Sequence, residues 1–248
     1  MFAVLGAMKE EIAALRGRMA VEETTAQRGF TVFKGKYNGK DMLLVQTGMG
    51  RIRAERATQF VLENYPLASM VSVGFAGALE KSLGVGDVII WSRIYSGNED
   101  GLKTVDACHS DIVLLSQAQI AMEGQPFRIL EGSGVTVPRA ITQPESKEAL
   151  GREFSAEAVD MESYWIGRAA QARGVRFLTV RAISDTVGEH LPSLEQIFTD
   201  SGELRKLRAA VYFLTHPWQL AKLFMLGRSA RQAEKNLALF LDGLIAQF

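Results

Sequence analysis

The sequence predicts a single-domain, three-layer α/β protein in which a mostly parallel central sheet is flanked by helices. Its 248 residues are 47% hydrophobic and 23% charged, which is enough apolar material for one core of this size. Apolar runs of strand length alternate with segments that have the helical spacing of apolar residues, a pattern typical of a parallel α/β sheet. Glycines follow several of these runs. Because ligands bind beyond the carboxyl ends of such strands, a binding site is expected there.

Six apolar runs are predicted to be strands, and five periodic segments are predicted to be helices. The predicted strands are 2–5, 42–46, 70–73, 88–91, 128–130 and 177–182. The predicted helices are 53–65, 111–123, 145–153, 163–173 and 230–247. No internal repeat interrupts this order, so we expect one domain over residues 1–248.

Charge and cysteine content exclude several classes of function. Lys and Arg number 28, as do Asp and Glu, so no overall field favours nucleic acid. Cys108 is the only cysteine and the three histidines are scattered. We therefore predict no disulfide, no metal, no cofactor and a cytoplasmic location. The N-terminus lacks a signal-peptide pattern, and charged residues and a proline interrupt the late apolar stretch 209–226, so no membrane span is predicted.

A basic and strongly apolar segment near the C-terminus departs from the neutral composition of the rest. We predict a helical insertion at about 191–228, whose residues 203–231 form a hairpin around His216-Pro217. Three alternatives stay open for it: packing against its own domain, a homodimer interface, or peripheral contact with an anionic membrane surface at the inner membrane face. A homo-oligomer is expected.

Four acidic residues lie where predicted strands end. Glu11 follows a small-residue turn at a helix start, Asp160 and Glu162 flank Met161 at a strand-to-helix switch, and Asp185 ends a buried strand. Each has an ordinary explanation as a helix-dipole partner, turn residue or N-cap. Carboxylates are nevertheless costly to bury unless something binds them.

Two glycine turns accompany these residues, at 48–50 and at 74–77. Glycine lets the backbone approach a ligand, and free N–H groups can hold a phosphate or a ribose oxygen. Neither turn has the pattern of a phosphate-binding P-loop or of a dinucleotide fingerprint.

Six motifs in this order resemble the purine nucleoside phosphorylase superfamily, and within it the methylthioadenosine/S-adenosylhomocysteine nucleosidase branch. The insertion resembles hopanoid-associated relatives that are implicated in removing adenine from an adenosylated lipid. The resemblance implies a phosphorylase/hydrolase-like fold and a purine nucleoside as the ligand. The motifs are Gly6-Ala7-Met8 with Glu11, Gly48-Met49-Gly50, Ser72-Val73-Gly74-Phe75-Ala76-Gly77, Gly84-Val85-Gly86-Asp87-Val88, Val159-Asp160-Met161-Glu162 and Arg181-Ala182-Ile183-Ser184-Asp185.

The resemblance implies roles for the individual residues. Glu11 would activate the attacking water, Glu162 would bind the ribose hydroxyls, and Asp185 would protonate the purine at N7, which neighbouring carboxylates would favour. Phe75 stands where the branch has a small residue, and the usual Phe-Ile pair of the purine loop is reduced to Ile141. The residues expected to contact substrate are Phe75, Ala76, Gly77, Ile141, Asp160, Met161 and Ser184.

Three functions remain to be distinguished. The first is hydrolysis of the N-glycosidic bond of an adenine nucleoside such as methylthioadenosine, S-adenosylhomocysteine or adenosylhopane. The second is phosphate-dependent cleavage, for which Arg51 and Arg53 are candidate anion ligands, although Ser72 stands where phosphorylases carry a phosphate-binding arginine. The third is nucleoside binding without catalysis, which would not need an acid at N7.

Overall fold

A computed structural model of the protein describes the backbone of residues 1–97, 103–191 and 218–248. Side chains are described for residues 1–97, 107–191 and 227–248. The strands are β1 (Phe2–Gly6), β2 (Ala20–Gln27), β3 (Phe30–Tyr37), β4 (Lys40–Gln46), β5 (Ser69–Ala78), β6 (Val88–Gly97), β7 (Lys103–His109), β8 (Ile129–Thr136), β9 (Ala158–Asp160) and β10 (Arg176–Asp185). The helices are α1 (Lys9–Arg18), α2 (Arg51–Asn64), α3 (Ile112–Met122), α4 (Pro144–Phe154), α5 (Ser163–Ala172) and α6 (Trp218–Ala246).

Five of the strands close into a ring. β10 pairs with β6, β6 with β8, β8 with β9, β9 with β5, and β5 with β10. From β5 the sheet continues through β1 and β4 to β3 and β2, while β7 pairs with β6. A ring leaves its members without free edges, so the ends of its strands surround one space.

The sheet is mixed, and the prediction of a mostly parallel sheet is wrong. Among the described strands, five pairings are parallel and five are antiparallel. Short turns join β2, β3 and β4, and closure of the ring sets β6 against β10 and β9 against β5. The fifth antiparallel pair is β6 with β7.

The turn between β3 and β4 explains part of this difference. Asn38 and Gly39 both have positive φ, 48° and 81°, as a two-residue hairpin turn requires. Asn-Gly is a strong hairpin signal in any sequence, and it bears on β3 and β4. β2, β3 and β7 are absent from the predicted strands, and β2 is largely polar.

Helices cover both faces of the sheet, as a three-layer arrangement requires. One core contains buried residues of α1, α3 and α6, and the other contains buried residues of α2 and α5. A smaller third cluster packs under α4 beside the ring. The predicted α/β class is thus confirmed, with helices on either side of the sheet.

The C-terminal prediction is tested only in part. Residues 192–217 of the predicted insertion lie outside the described residues, as does the proposed turn at His216-Pro217. The helix predicted at 230–247 begins earlier, at Trp218, and ends at Ala246. In the described part of the chain, no helix is long and apolar enough to cross a membrane.

Candidate active site

All ten predicted site residues line one cavity of about 210 Å³. It lies where the carboxyl ends of the parallel strands β1, β5 and β10 meet. Met8, Met49, Val137, Ala140 and Leu191 add apolar walls. The predicted residues in the lining are Glu11, Phe75, Ala76, Gly77, Ile141, Asp160, Met161, Glu162, Ser184 and Asp185.

Glu11 is held at the cavity by the first turn of α1 and the end of β5. Its Oε2 accepts a hydrogen bond from the Met8 N–H at 2.8 Å, and its Oε1 accepts one from the Phe75 N–H at 2.9 Å. A Cβ atom at Gly74 would lie 2.6 Å from Glu11 Oε1, so only glycine leaves room for the carboxylate. Burial raises the pKa of Glu11, and these hydrogen bonds and the charge of Arg181 oppose that rise.

Glu162 occupies the N-cap position of α5, and its side chain reaches across to the glycine turn before α2. Its Oε1 accepts a hydrogen bond from the Gly50 N–H at 2.7 Å, and Gly50 adopts a φ of 85° that favours glycine. Burial first, and then repulsion from Asp160 and Glu11, raises the pKa of Glu162 to about 8, although the Gly50 bond lowers it. The site therefore favours the neutral form of this carboxyl group over a wider pH range than water does.

Asp160 lines the same cavity, but protein groups occupy both of its oxygens. Oδ1 accepts from the Thr136 hydroxyl at 2.6 Å, and Oδ2 accepts from the backbone and hydroxyl of Ser163 at 3.0 and 2.6 Å. Arg181 donates to Oδ2 through Nε and Nη2 at 3.0 and 2.8 Å, and also to the Ser72 hydroxyl at 2.8 Å. These contacts fix the turn that carries Met161 and Glu162.

Asp185 lies at the end of β10, where a register shift interrupts the pairing with β5 after Ile183. Such irregularities re-aim side chains, and here the carboxylate lines the cavity. The Gly86 N–H donates to the Ile183 carbonyl at 2.9 Å, and the Ile183 N–H donates to the Asp87 carbonyl at 2.8 Å. The Gly84–Val88 motif thereby holds the backbone just before Asp185.

The partners of Asp185 differ from those expected. Its Oδ1 accepts from the Ser184 hydroxyl at 2.7 Å, and its Oδ2 accepts from Lys147 Nζ at 2.5 Å. The sequence predicts that neighbouring carboxylates favour proton delivery by Asp185, whereas the charged group in direct contact with it is the lysine ammonium. Lys147 was missed as a site residue because helices carry many surface lysines. A signal was present, since Lys147 shares a buried helical stripe with Leu150, Gly151 and Phe154.

The apolar side chains divide between two sides of the cavity. Phe75 packs against the core beneath α6, and Ile141 packs against the cluster under α4. Both line the cavity together with Met161. The substrate contacts predicted for these three residues stay predictions.

The two candidate anion ligands lie outside the cavity lining. Arg51 pairs with Glu55 at 2.9 Å and stacks over the Trp165 ring at 3.8 Å. Arg53 lies beside Gly48, where its side chain would meet an added Cβ. Within residues 1–97, 107–191 and 227–248, no group of His, Cys, Asp and Glu is arranged to hold a metal ion.

Comparisons of sequence and of structure with known proteins both find nucleosidases. 5′-Methylthioadenosine/S-adenosylhomocysteine nucleosidases of Bacillus thuringiensis (strain Al Hakam) and Bacillus cereus (strain AH187) are 26% identical over 230 residues, covering 86% of this chain and 97% of theirs. The Neisseria meningitidis nucleosidase in complex with methylthio-immucillin-A has a similar structure, with a TM-score of 0.77, 22% identity and coverage of 100% and 99% of the two chains.

Two further structures share the fold. The Colwellia psychrerythraea 34H nucleosidase in complex with adenine has a TM-score of 0.78 and 21% identity, over 99% of this chain and 94% of that one. The futalosine hydrolase of Helicobacter pylori strain 26695 has a TM-score of 0.75 and 20% identity, over 100% and 97%. The family profile of the phosphorylase superfamily matches residues 1–213. The chain therefore belongs to the phosphorylase superfamily, as its ordered motifs predict.

Proposed function

We propose that the protein hydrolyses the N-glycosidic bond of an adenine nucleoside and releases the free base. The observation that carries this proposal is the placement of Glu11, Glu162 and Asp185 around one cavity at the carboxyl ends of the strands. The activities named for the Bacillus relatives support it. Such cleavage passes through a cationic, oxocarbenium-like sugar and a leaving base that needs a proton.

Asp185 is assigned to the departing base. Its carboxyl group lines the cavity beside Gly77 and carries a hydrogen bond from Ser184. From this position it passes a proton to N7 as the bond to the sugar breaks. The base then leaves as a neutral molecule, which lowers the barrier to departure.

Glu162 is assigned to the ribose. A protonated Glu162 can donate one hydrogen bond and accept another, so it can bind two sugar hydroxyls in the ground state. When positive charge develops on the sugar, the ionised form becomes favoured, because opposite charges attract at short range. Stabilisation is then greatest in the transition state, as catalysis requires.

Glu11 is assigned to the attacking water. Two backbone N–H groups fix both of its oxygens, and burial raises its pKa from the ordinary value. A carboxylate with a raised pKa is a better general base at neutral pH than an exposed one.

Water is preferred to phosphate as the nucleophile. Ser72 occupies the position of the phosphate-binding arginine in related phosphorylases, and its hydroxyl is bound to Arg181. Arg51 is engaged with Glu55 and Trp165. The Glu11 carboxylate, which the proposed mechanism requires to be ionised, would also repel an anion from the cavity.

The experiment is a product assay with purified protein. Adenosine, methylthioadenosine, S-adenosylhomocysteine and inosine are each incubated with and without inorganic phosphate. From the three adenine nucleosides we expect adenine release at the same rate in both buffers and a free ribose derivative as co-product. Ribose 1-phosphate as the main product would favour the phosphorylase, and tight binding without base release would favour a nucleoside-binding protein.

We also propose that the chain forms a homo-oligomer in the cytoplasm and that residues 203–231 pack against their own domain, provide a subunit interface or contact an anionic membrane. The sequence supports this through the basic and apolar composition of the segment. Size-exclusion chromatography with light scattering measures the second alternative, and liposome flotation measures the third.

A further inference from the structure

Lys147 is a fully buried ammonium group that the proposed mechanism has not used. Its side chain has 0% exposure, and Nζ donates to Asp185 Oδ2 at 2.5 Å and to the Thr186 carbonyl at 2.8 Å. It does not line the cavity, so its effect on a ligand must pass through Asp185.

The position of Lys147 is electrostatically unfavourable apart from this contact. It lies in the first turn of α4, where the helix dipole disfavours a positive charge. Buried ion pairs also contribute little net stability, because removing two charges from water offsets their attraction. Packing alone would be served by an apolar side chain of similar length, so the ion pair calls for a chemical explanation.

The contacts of Asp185 indicate where the proton is held. Both carboxylate oxygens accept hydrogen bonds from the protein, one from Ser184 and one from Lys147. This is the arrangement of an ionised carboxylate facing an ammonium group, and an ionised carboxylate has no proton to give to a base. The proton that it needs lies one hydrogen bond away, on Lys147 Nζ.

We infer that Lys147 is a positioning residue for Asp185 that also supplies the proton which Asp185 passes to the departing purine. As the glycosidic C–N bond breaks, its electron pair moves to the base and N7 becomes strongly basic. Nζ of Lys147 delivers a proton to Oδ2 of Asp185, and the Asp185 carboxyl delivers that proton to N7. Lys147 is left neutral and Asp185 ionised.

The step balances with water as the only co-reactant. The attacking water forms the new C–O bond at the sugar and gives its proton to Glu11. After the products leave, Glu11 returns its proton to solvent and Lys147 takes one from solvent, which restores the starting state. This inference rests on the proposed hydrolysis.

Two substitutions separate proton supply from simple positioning by charge. Lys147→Arg keeps a cation beside Asp185, but a guanidinium group does not give up its proton in proteins. Lys147→Met removes the cation and leaves Asp185 to take its proton directly from solution. If Lys147 supplies the proton, the Arg substitution should lower kcat more than the Met substitution does. If Lys147 only positions Asp185 by its charge, the Met substitution should lower kcat more.

The assay measures kcat and KM for an adenine nucleoside between pH 5 and pH 8, with Lys81→Met as the control. Lys81 is an exposed lysine that pairs with Glu148 on the outer side of α4. We expect Lys147→Arg to lower kcat by about 100-fold or more at every pH, the scale of a lost general acid. We expect the kcat of Lys147→Met, as a ratio to wild type, to be low at pH 8 and to rise toward pH 5.

Taking the ratio to wild type removes titrations that both proteins share. Glu11, Asp160 and Glu162 line the cavity, Arg181 pairs with Asp160, and Glu189 accepts a hydrogen bond from the Thr186 hydroxyl on the connection beyond β10. Ground-state binding of 7-deazaadenosine, which lacks the N7 acceptor, reports whether the cavity is intact, and its dissociation constant should stay within about threefold of wild type.

Several outcomes would overturn the inference. They are an Arg variant with kcat close to wild type, a Met variant that is unchanged at pH 8, and a Met-to-wild-type ratio that does not vary with pH. Should the Arg variant fail to fold, the pH profile of the Met variant decides. A wild-type protein that releases adenine from no nucleoside would instead refute the proposed function, so the two failures are distinguishable.

Discussion

Replacing Glu162 by Gln should stabilise the protein at alkaline pH. The pKa of Glu162 is raised from 4.5 to about 8, so between these values the folded state holds a proton that the unfolded state has lost. The free energy of unfolding therefore falls as pH rises through this window. Glutamine carries no ionisable group, so the free energy of unfolding of the variant should not fall in this pH window. Its side-chain oxygen can still accept the Gly50 hydrogen bond.

The size of the effect follows from the same pKa. A difference from 4.5 to about 8, at ~1.36 kcal/mol for each pH unit, sets an upper limit of about 5 kcal/mol above pH 8. The side chain is partly exposed to the cavity, and water screens the unfavourable burial. We therefore expect about 2 kcal/mol, which shifts the Tm of a domain of this size by roughly 4–8 °C.

Thermal and urea unfolding of both proteins at pH 5, 7 and 9 measures this difference. The variant should be close to wild type at pH 5 and more stable at pH 9. Glu22→Gln, an exposed change in β2, serves as the matched control and should show no such trend. A constant stability difference across pH, or a variant that is less stable at pH 9, would refute the raised pKa as the cause.

Three further predictions follow from the site. Asp185→Asn should lower kcat for adenine nucleosides by about 100-fold or more, measured by adenine release, while a similar Tm shows intact folding. Gly74→Ala should lower kcat by about tenfold or more with little change in KM, because its Cβ would displace the Glu11 carboxylate from 2.6 Å away; unchanged kinetics would remove Glu11 from the role of base. If residues 203–231 meet a membrane, the protein should float with anionic liposomes at low salt, and the variant Trp218→Ala, Lys222→Glu, Arg228→Glu should not.

Sequence order alone located the cavity because its residues follow strands. Asp160 and Asp185 are the last residues of β9 and β10, Glu11 lies in the first turn of the helix that follows β1, and all three line the cavity. Local patterns of this kind can be recognised in the sequence without knowing which strands pair in the sheet. The predicted family is confirmed for the same reason, since its motifs are short and ordered along the chain.

Long-range contacts could not be predicted in this way. The ring depends on pairing β5 with β9 and β6 with β10, and no local pattern specifies which distant strands meet. The contact between Lys147 and Asp185 joins positions 38 residues apart. A lysine among the buried residues of α4 indicates an unusual environment, but the sequence of α4 does not predict which residue pairs with Lys147.

The charges of the cavity explain why it suits a transition state better than a ground state. Four carboxyl groups lie at this site, and two of them are paired with a cation in direct contact. Burial raises the pKa of the other two. Glu11 accepts the proton of the attacking water, so Glu162 is the group whose ionised form is favoured when positive charge develops on the sugar. Its attraction to the sugar is therefore greater in the oxocarbenium-like state than in the ground state, which stabilises that state selectively. The groups are Glu11 and Glu162 without a contacting cation, Asp160 with Arg181, and Asp185 with Lys147.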